Sequence, residues 1–178
     1  SEGSSRTYFS VDVTADGKGV GSITNYAGDM PHEFYPGMHR TLGDFCGEFA
    51  LPAGEKTVRI YFPWSVAVDI TEVEFKGATF TDPAPREKTF LFFGDSITHG
   101  YDAIFTSHKY ATLVAEAFGA NEHNKAIGGD FFKPEIAKIK ENYVPAAIFA
   151  AYGTNDWSAC ERDYVEKRAA EFYAALHE

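Results

Sequence analysis

A chain of 178 residues is long enough for one ordinary domain or two small ones, and 44% hydrophobic residues with 16% aromatics is ample for a buried core. The formal charge of −10, with no Lys/Arg-rich stripe, argues against a nucleic-acid backbone or an anionic lipid surface as partner. No apolar run approaches a membrane span, and Cys46 and Cys160, far apart and without CxxC or Cys/His company, read as buried thiols rather than a zinc site or a disulfide framework.

In chain order, the start Ser1-Glu2-Gly3-Ser4-Ser5 carries neither a basic n-region nor an apolar h-region, which leans the compartment toward the cytoplasm. The chain also lacks an initiator Met, so it reads as a processed or excised piece. From Arg6 to Phe80, short β-rich runs are expected at Tyr8 to Val13, Val20 to Tyr26, Phe45 to Leu51, Thr57 to Phe62 and Val66 to Phe75. Asp16-Gly17, Pro36-Gly37 and Ala53-Gly54 punctuate them as turns. Val58, Ile60 and Phe62 alternate with Thr57, Arg59 and Tyr61, as a half-buried strand requires. This half reads as a small β-sandwich over residues 1–85. Asp82-Pro83-Ala84-Pro85-Arg86 is a stiff link that continues neither a strand nor a helix, and it sets the domain boundary.

Beyond that link, over residues 86–178, strands alternate with helices, the pattern of a parallel sheet covered by crossovers. Thr89 to Phe93 is an apolar run of buried-strand type. Tyr110, Leu113, Val114, Ala117 and Phe118 fall at helical spacing, and Gly119 is placed to stop that helix. A weaker strand is expected around Glu122 to Ile127, then a helix opened by Pro134 and carrying Ile136 and Ile139. Ala146 to Tyr152 is a second buried strand, and Val165, Ala169, Phe172 and Leu176 share one face of a last helix.

In such sheets functional residues gather in the loops after the carboxyl ends of the strands. Here those loops carry Gly94-Asp95-Ser96, Gly128-Gly129-Asp130 and Gly153-Thr154-Asn155-Asp156, and neighbouring parallel strands bring all three to one sheet edge. A serine hydroxyl at a strand-to-helix turn is exposed for attack, and its own backbone N–H can face a developing oxyanion. A glycine lets a second backbone N–H approach the same point. The Asn155 carboxamide supplies a third donor, and one such donor is worth about 10²–10³ in rate. Each residue also has a structural alternative: Ser96 as a helix N-cap, Gly128 and Gly129 as strand terminators, Asn155 and Asp156 as helix caps. Asp95 is expected to brace its turn. His99, three residues after Ser96, is expected to line the pocket rather than act as base, and Trp157 is the aromatic best placed to touch substrate. His32, His39, His108 and His123 default to surface or loop roles, and Tyr35 and Trp64 to core or interface roles.

These three blocks, in this order and each after an expected strand, resemble the SGNH or GDSL hydrolase superfamily over roughly Thr89 to Leu176. The serine, glycine and asparagine blocks are matched by Gly94-Asp95-Ser96, Asn124 to Asp130 and Gly153-Thr154-Asn155-Asp156. The resemblance implies a flavodoxin-like three-layer α/β/α domain with a parallel sheet. It implies Ser96 as nucleophile, Gly129 rather than Gly128 as backbone oxyanion donor and Asn155 as side-chain donor, with Asp95, Gly128 and Asp156 in support and neither metal nor organic cofactor. The sandwich in front is similar to the accessory domain of some bacterial carbohydrate-acetyl esterases. The implied activity is that of a serine esterase cleaving a small acyl ester such as acetyl from carbohydrate. A carbohydrate-binding or interaction module built on the first half is the alternative. A metal-dependent hydrolase lacks any ligand-spaced motif such as HExxH.

The superfamily's fourth block, Asp-x-x-His, has no match: His177 has Ala174 three residues before it. The chain therefore reads as C-terminally truncated, with its general base expected on residues that follow. Loss of a triad partner costs roughly 10⁴–10⁶ in turnover, so the chain alone is expected to be weak or inactive. In the superfamily's strand order the far side of the third strand would be open, and a second polypeptide or a symmetry mate is expected there.

Overall fold

A computed structural model describes residues 9–24, 44–139 and 142–176. Tyr8, Asn25, Tyr26, His32, Tyr35, Pro36-Gly37, His39 and His177 lie outside the described residues. The chain divides into two compact units, one formed by residues up to Pro85 together with Asp102–Lys109, the other by Arg86–Tyr101 and the chain from Tyr110 onward.

In the first unit β1 (Ser10–Ala15), β2 (Lys18–Thr24) and β3 (Val58–Tyr61) form an antiparallel sheet of order β2-β1-β3. A two-residue turn at Asp16-Gly17, with φ of 50° and 76°, closes the β1–β2 hairpin. Asp16 also aligns the start of β3: its N–H donates to the Thr57 carbonyl at 2.9 Å, and its Oδ1 accepts from the Thr57 N–H at 2.9 Å. Along β1 it is the polar set Ser10, Asp12 and Thr14 that is buried. Ser10 and Asp12 find their partners in Thr106 and Ser107. The Thr106 N–H donates to Ser10 Oγ at 2.9 Å, Thr106 Oγ1 to the Ser10 carbonyl at 3.1 Å, and the Ser107 N–H to Asp12 Oδ2 at 2.7 Å.

The described residues of this unit hold one sheet, with no second sheet packed on it to make the expected sandwich. Two runs with strand-like patterns, Phe45 to Leu51 and Val66 to Phe75, form no strand among the described residues. A strand needs ladder partners and an apolar cover, and Val66, Val68, Ile70 and Val73 stay exposed. The first run is held through rings instead: Phe45 meets Phe9 edge-on at 4.9 Å, and the Phe49 ring fills the space beside Gly21 and Gly47. Cys46 is exposed and Cys160 half-buried; both are free thiols, and neither is buried as the sequence suggested.

The second unit is built on a parallel sheet of order β5-β4-β6, with β4 (Thr89–Gly94) between β5 (Asn121–Asn124) and β6 (Ala147–Ala151). Its helices are α1 (Ser96–His99), α2 (Tyr110–Ala117), α3 (Pro134–Ala137), α4 (Thr154–Ala159) and α5 (Arg162–Leu176). β4 is buried on both faces, which is why its sequence is continuously apolar. Phe90 and Phe92 pack against Ala111 and Ala115 of α2. On the other face Leu91 and Phe93 pack against Ala137 of α3 and Phe172 of α5.

The buried face of α2 differs from the expected one. Ala111, Thr112 and Ala115 are buried, while Leu113 and Phe118 are exposed. The large rings come from the strands, with Phe92 stacked on Phe149 at 4.7 Å, so small residues on the helix fit beneath them. Arg86 ties the start of this unit to α2. Its guanidinium donates to both Glu116 carboxylate oxygens, at 3.0 and 2.6 Å, and to the Ala120 carbonyl at 2.6 Å.

Among the described residues β6 pairs on one side only. A groove of about 610 Å³ runs beside it, lined by Ile148, Phe149, Ala150 and Ala151 with Tyr110 of α2 and Tyr173 and Leu176 of α5.

Candidate active site

Gly94 ends β4 where two backbones nearly touch. A Cβ there would sit 2.6 Å from Thr98 Cβ and 2.7 Å from the Ala151 carbonyl oxygen, so only glycine lets the chain turn into α1 against β6. Asp95 is the N-cap of α1, its Oδ1 accepting from the Ile97 N–H at 3.0 Å. The buried Asp95 carboxylate thus braces the turn. Because Asp95 holds the cap, Ser96 is the first helical residue and is not needed as a cap itself. Among the described residues the Ser96 hydroxyl enters no side-chain hydrogen bond.

After β5, the N–H groups of Lys125 and Ile127 donate to the carbonyls of Phe92 and Gly94 at 2.8 and 3.1 Å, so this loop runs along β4 to the Ser96 turn. It then reverses over Gly128-Gly129, closed by the Asp130 N–H donating to the Ile127 carbonyl at 3.1 Å. Gly129 has φ of 81° at the third position of this turn, where a side chain is disfavoured. The space around it is open.

After β6, Gly153 caps α4 without any side-chain bond, so neither Asn155 nor Asp156 serves as the cap. Asn155 Nδ2 donates instead to the Asp130 carbonyl at 2.9 Å, joining the third loop to the second. The buried Asp156 carboxylate accepts from the Phe132 N–H at 3.2 Å. Trp157, in the first turns of α4, is 89% exposed.

Tyr152, at the end of β6, reports how these loops converge. Burial pushes its phenol well above its ordinary value, and the charges of Asp130, Asp95 and Asp156 push in the same direction. One hydroxyl therefore feels a carboxylate from each of the three loops.

No protein-family model and no curated protein matches the chain. Solved structures do. A salicylyl-acyltransferase, SsfX3, from a tetracycline biosynthetic pathway superposes with a TM-score of 0.63 at 20% identity, covering 95% of this chain and 48% of that one. A carbohydrate esterase family 2 enzyme with a carbohydrate-binding domain, from Corynascus thermopiles (Myceliophthora fergusii), superposes with a TM-score of 0.53 at 18% identity, covering 95% of this chain and 61% of that one. This chain shares their fold. It spans about half the length of the first and three-fifths of the second.

Ser96, Gly129 and Asn155 thus lie on the three loops at the carboxyl ends of β4, β5 and β6, with Asp95, Gly128 and Asp156 beside them. His99 is half-buried at the end of α1, on the turn that carries Ser96. The other described histidines have different neighbours: His108 packs edge-on against Phe105 in the first unit, and His123 Nδ1 bonds the Tyr143 hydroxyl at 2.7 Å. Trp64, also in the first unit, donates from Nε1 to the Ala103 carbonyl at 3.4 Å. Among the described residues no three His, Cys, Asp or Glu side chains are grouped to hold a metal ion.

Sequence reasoning missed the residues that fix the Ser96 turn from behind. Thr98 Oγ1 and the Tyr110 hydroxyl bond at 2.7 Å, and Asn124 and Glu122 of β5 complete a network that reaches Thr112 of α2. Only an unexplained polarity marks them, since Asn124 and Glu122 are polar positions in a strand of a covered sheet.

Proposed function

We propose that this chain carries the nucleophile and the oxyanion donors of a serine acyl-transfer enzyme of the SGNH type, acting as an esterase on a small acyl ester such as an acetylated carbohydrate. Ser96 Oγ attacks the ester carbonyl carbon and its proton passes to a general base. The tetrahedral oxyanion is met by the N–H of Ser96, the N–H of Gly129 and Asn155 Nδ2. Collapse expels the alcohol, which takes up the proton, and leaves an acyl-serine. Water releases the acid by the same steps in a second half-reaction.

The observation that carries this reading is that Asp95 takes the cap of α1 and leaves Ser96 free at its first position, while Asn155 bonds across to the loop that holds Gly129. The fold gives analogical support, since its neighbours are an acyltransferase and a carbohydrate esterase. Trp157, exposed beside Asn155, offers an aromatic face to the substrate. No histidine ring among the described residues bonds Ser96, so the base is assigned to residues outside them.

Added imidazole can stand in for that base. Incubation with a fluorophosphonate probe and imidazole is expected to label Ser96, with a rate that rises with imidazole and disappears in Ser96→Ala. Equal labelling of the two proteins at every imidazole concentration would remove the nucleophile assignment.

A further inference from the structure

We infer that Asn124 is a positioning residue that ties the nucleophile turn to the glycine loop. Its carboxamide makes three contacts: Nδ2 donates to the Thr98 carbonyl at 2.8 Å and to Glu122 Oε1 at 3.0 Å, and Oδ1 accepts from the Ala126 N–H at 3.0 Å. These contacts fix its orientation, because the reversed amide would set its oxygen against a carbonyl and a carboxylate and its NH2 against an N–H.

The two anchored groups matter for different reasons. α1 is a single turn of four residues, too short to hold itself together, and its late carbonyls have no helical partner. The Thr98 carbonyl, two residues from Ser96, is one of these, and Asn124 satisfies it from β5. Ala126 precedes Ile127, whose N–H reaches the Gly94 carbonyl, and three residues later comes Gly129. Beside the Ile127–Gly94 backbone bond, this side chain thus gives a second tie between the turn that carries Ser96 and the loop that presents the Gly129 N–H. Thr98 is gripped independently by the Tyr110 hydroxyl and by the notch at Gly94, so α1 keeps its place on the sheet when Asn124 is removed. What is lost is registry between the two loops.

The catalytic consequence rests on the reading of Ser96 as nucleophile, but the tie itself does not, and two measurements separate them. Amide hydrogen exchange on Asn124→Ala is expected to speed by about tenfold or more at Ala126, at Ile127 and at Tyr101, whose N–H closes the α1 turn by donating to the Ser96 carbonyl at 2.8 Å, with β4 still protected. Asn124→Asp, which keeps the acceptor for Ala126 but turns a carboxylate toward the Thr98 carbonyl and Glu122, should speed Tyr101 while sparing Ala126. In the imidazole-assisted fluorophosphonate assay both variants should lower the maximal labelling rate by about tenfold, leaving the half-saturating probe concentration within about twofold. Unchanged exchange at Tyr101 in both variants would overturn the tie. Faster exchange with an unaltered labelling rate would overturn its positioning role. An unlabelled wild-type Ser96 would instead remove the nucleophile assignment, and exchange would then decide the tie alone.

Discussion

Tyr152 shows at the residue scale how a side chain absent from any motif can report on a site. Its raised pKa means that the folded chain prefers the neutral phenol, so the stabilisation is complete below the ordinary phenol value of about 10 and is lost as pH rises through the folded value. Thermal unfolding followed from about pH 8 to about pH 11 should show stability falling above about pH 10, and Tyr152→Phe should fall less steeply. Parallel curves would mean that neither burial nor the three aspartates hold this phenol neutral. That Ser96, Gly129 and Asn155 fall on the loops after β4, β5 and β6 was legible in the sequence, because each follows a run with strand texture. Asn124, Thr98 and Tyr110 were not, because their roles exist only across the fold: Asn124 meets a carbonyl 26 positions away in the chain.

Elements were legible where their apolar residues follow one simple pattern, whatever their final burial: β4 is almost wholly buried, whereas β6, expected to be a buried strand, has no fully buried residue. β4 and β6 announced themselves as apolar runs, and the half-buried or buried face of α5, with Val165, Ala169, Phe172 and Leu176, followed from its spacing. The face of α2 did not, since periodicity favours large residues whereas the sheet's own rings had already filled that space. In the first unit β-rich composition suggested strands at Phe45 to Leu51 and Val66 to Phe75, but pairing is a non-local property that a single run does not encode. The polar buried face of β1 was equally silent until Thr106 and Ser107 were seen to donate to it. Asp12→Ala leaves the Ser107 N–H without its acceptor and should cost about 1–3 kcal/mol, read by denaturant unfolding with a matching rise in exchange at Ser107. Unchanged stability and exchange would show that this segment is held by other means.

At the scale of the whole molecule the parallel sheet has a strand order that, among the described residues, leaves β6 paired on one side, beside a groove with Ile148 and Leu176 in its wall. An unpaired apolar strand edge recruits another strand. Size-exclusion chromatography is expected to give a species heavier than the 19.7 kDa monomer, reverting to monomer in Ile148→Lys; a stable monomer for the unaltered chain would contradict this. The structures it resembles extend well beyond the part this chain covers. With the general base proposed to lie outside the described residues, deacylation should be slow as well as acylation, so an acyl group placed on Ser96 should stay there. Mass analysis after incubation with p-nitrophenyl acetate and brief imidazole exposure tests this most directly: the account predicts one acetyl group trapped on Ser96, and acetyl groups scattered over surface lysines with Ser96 unmodified would contradict it.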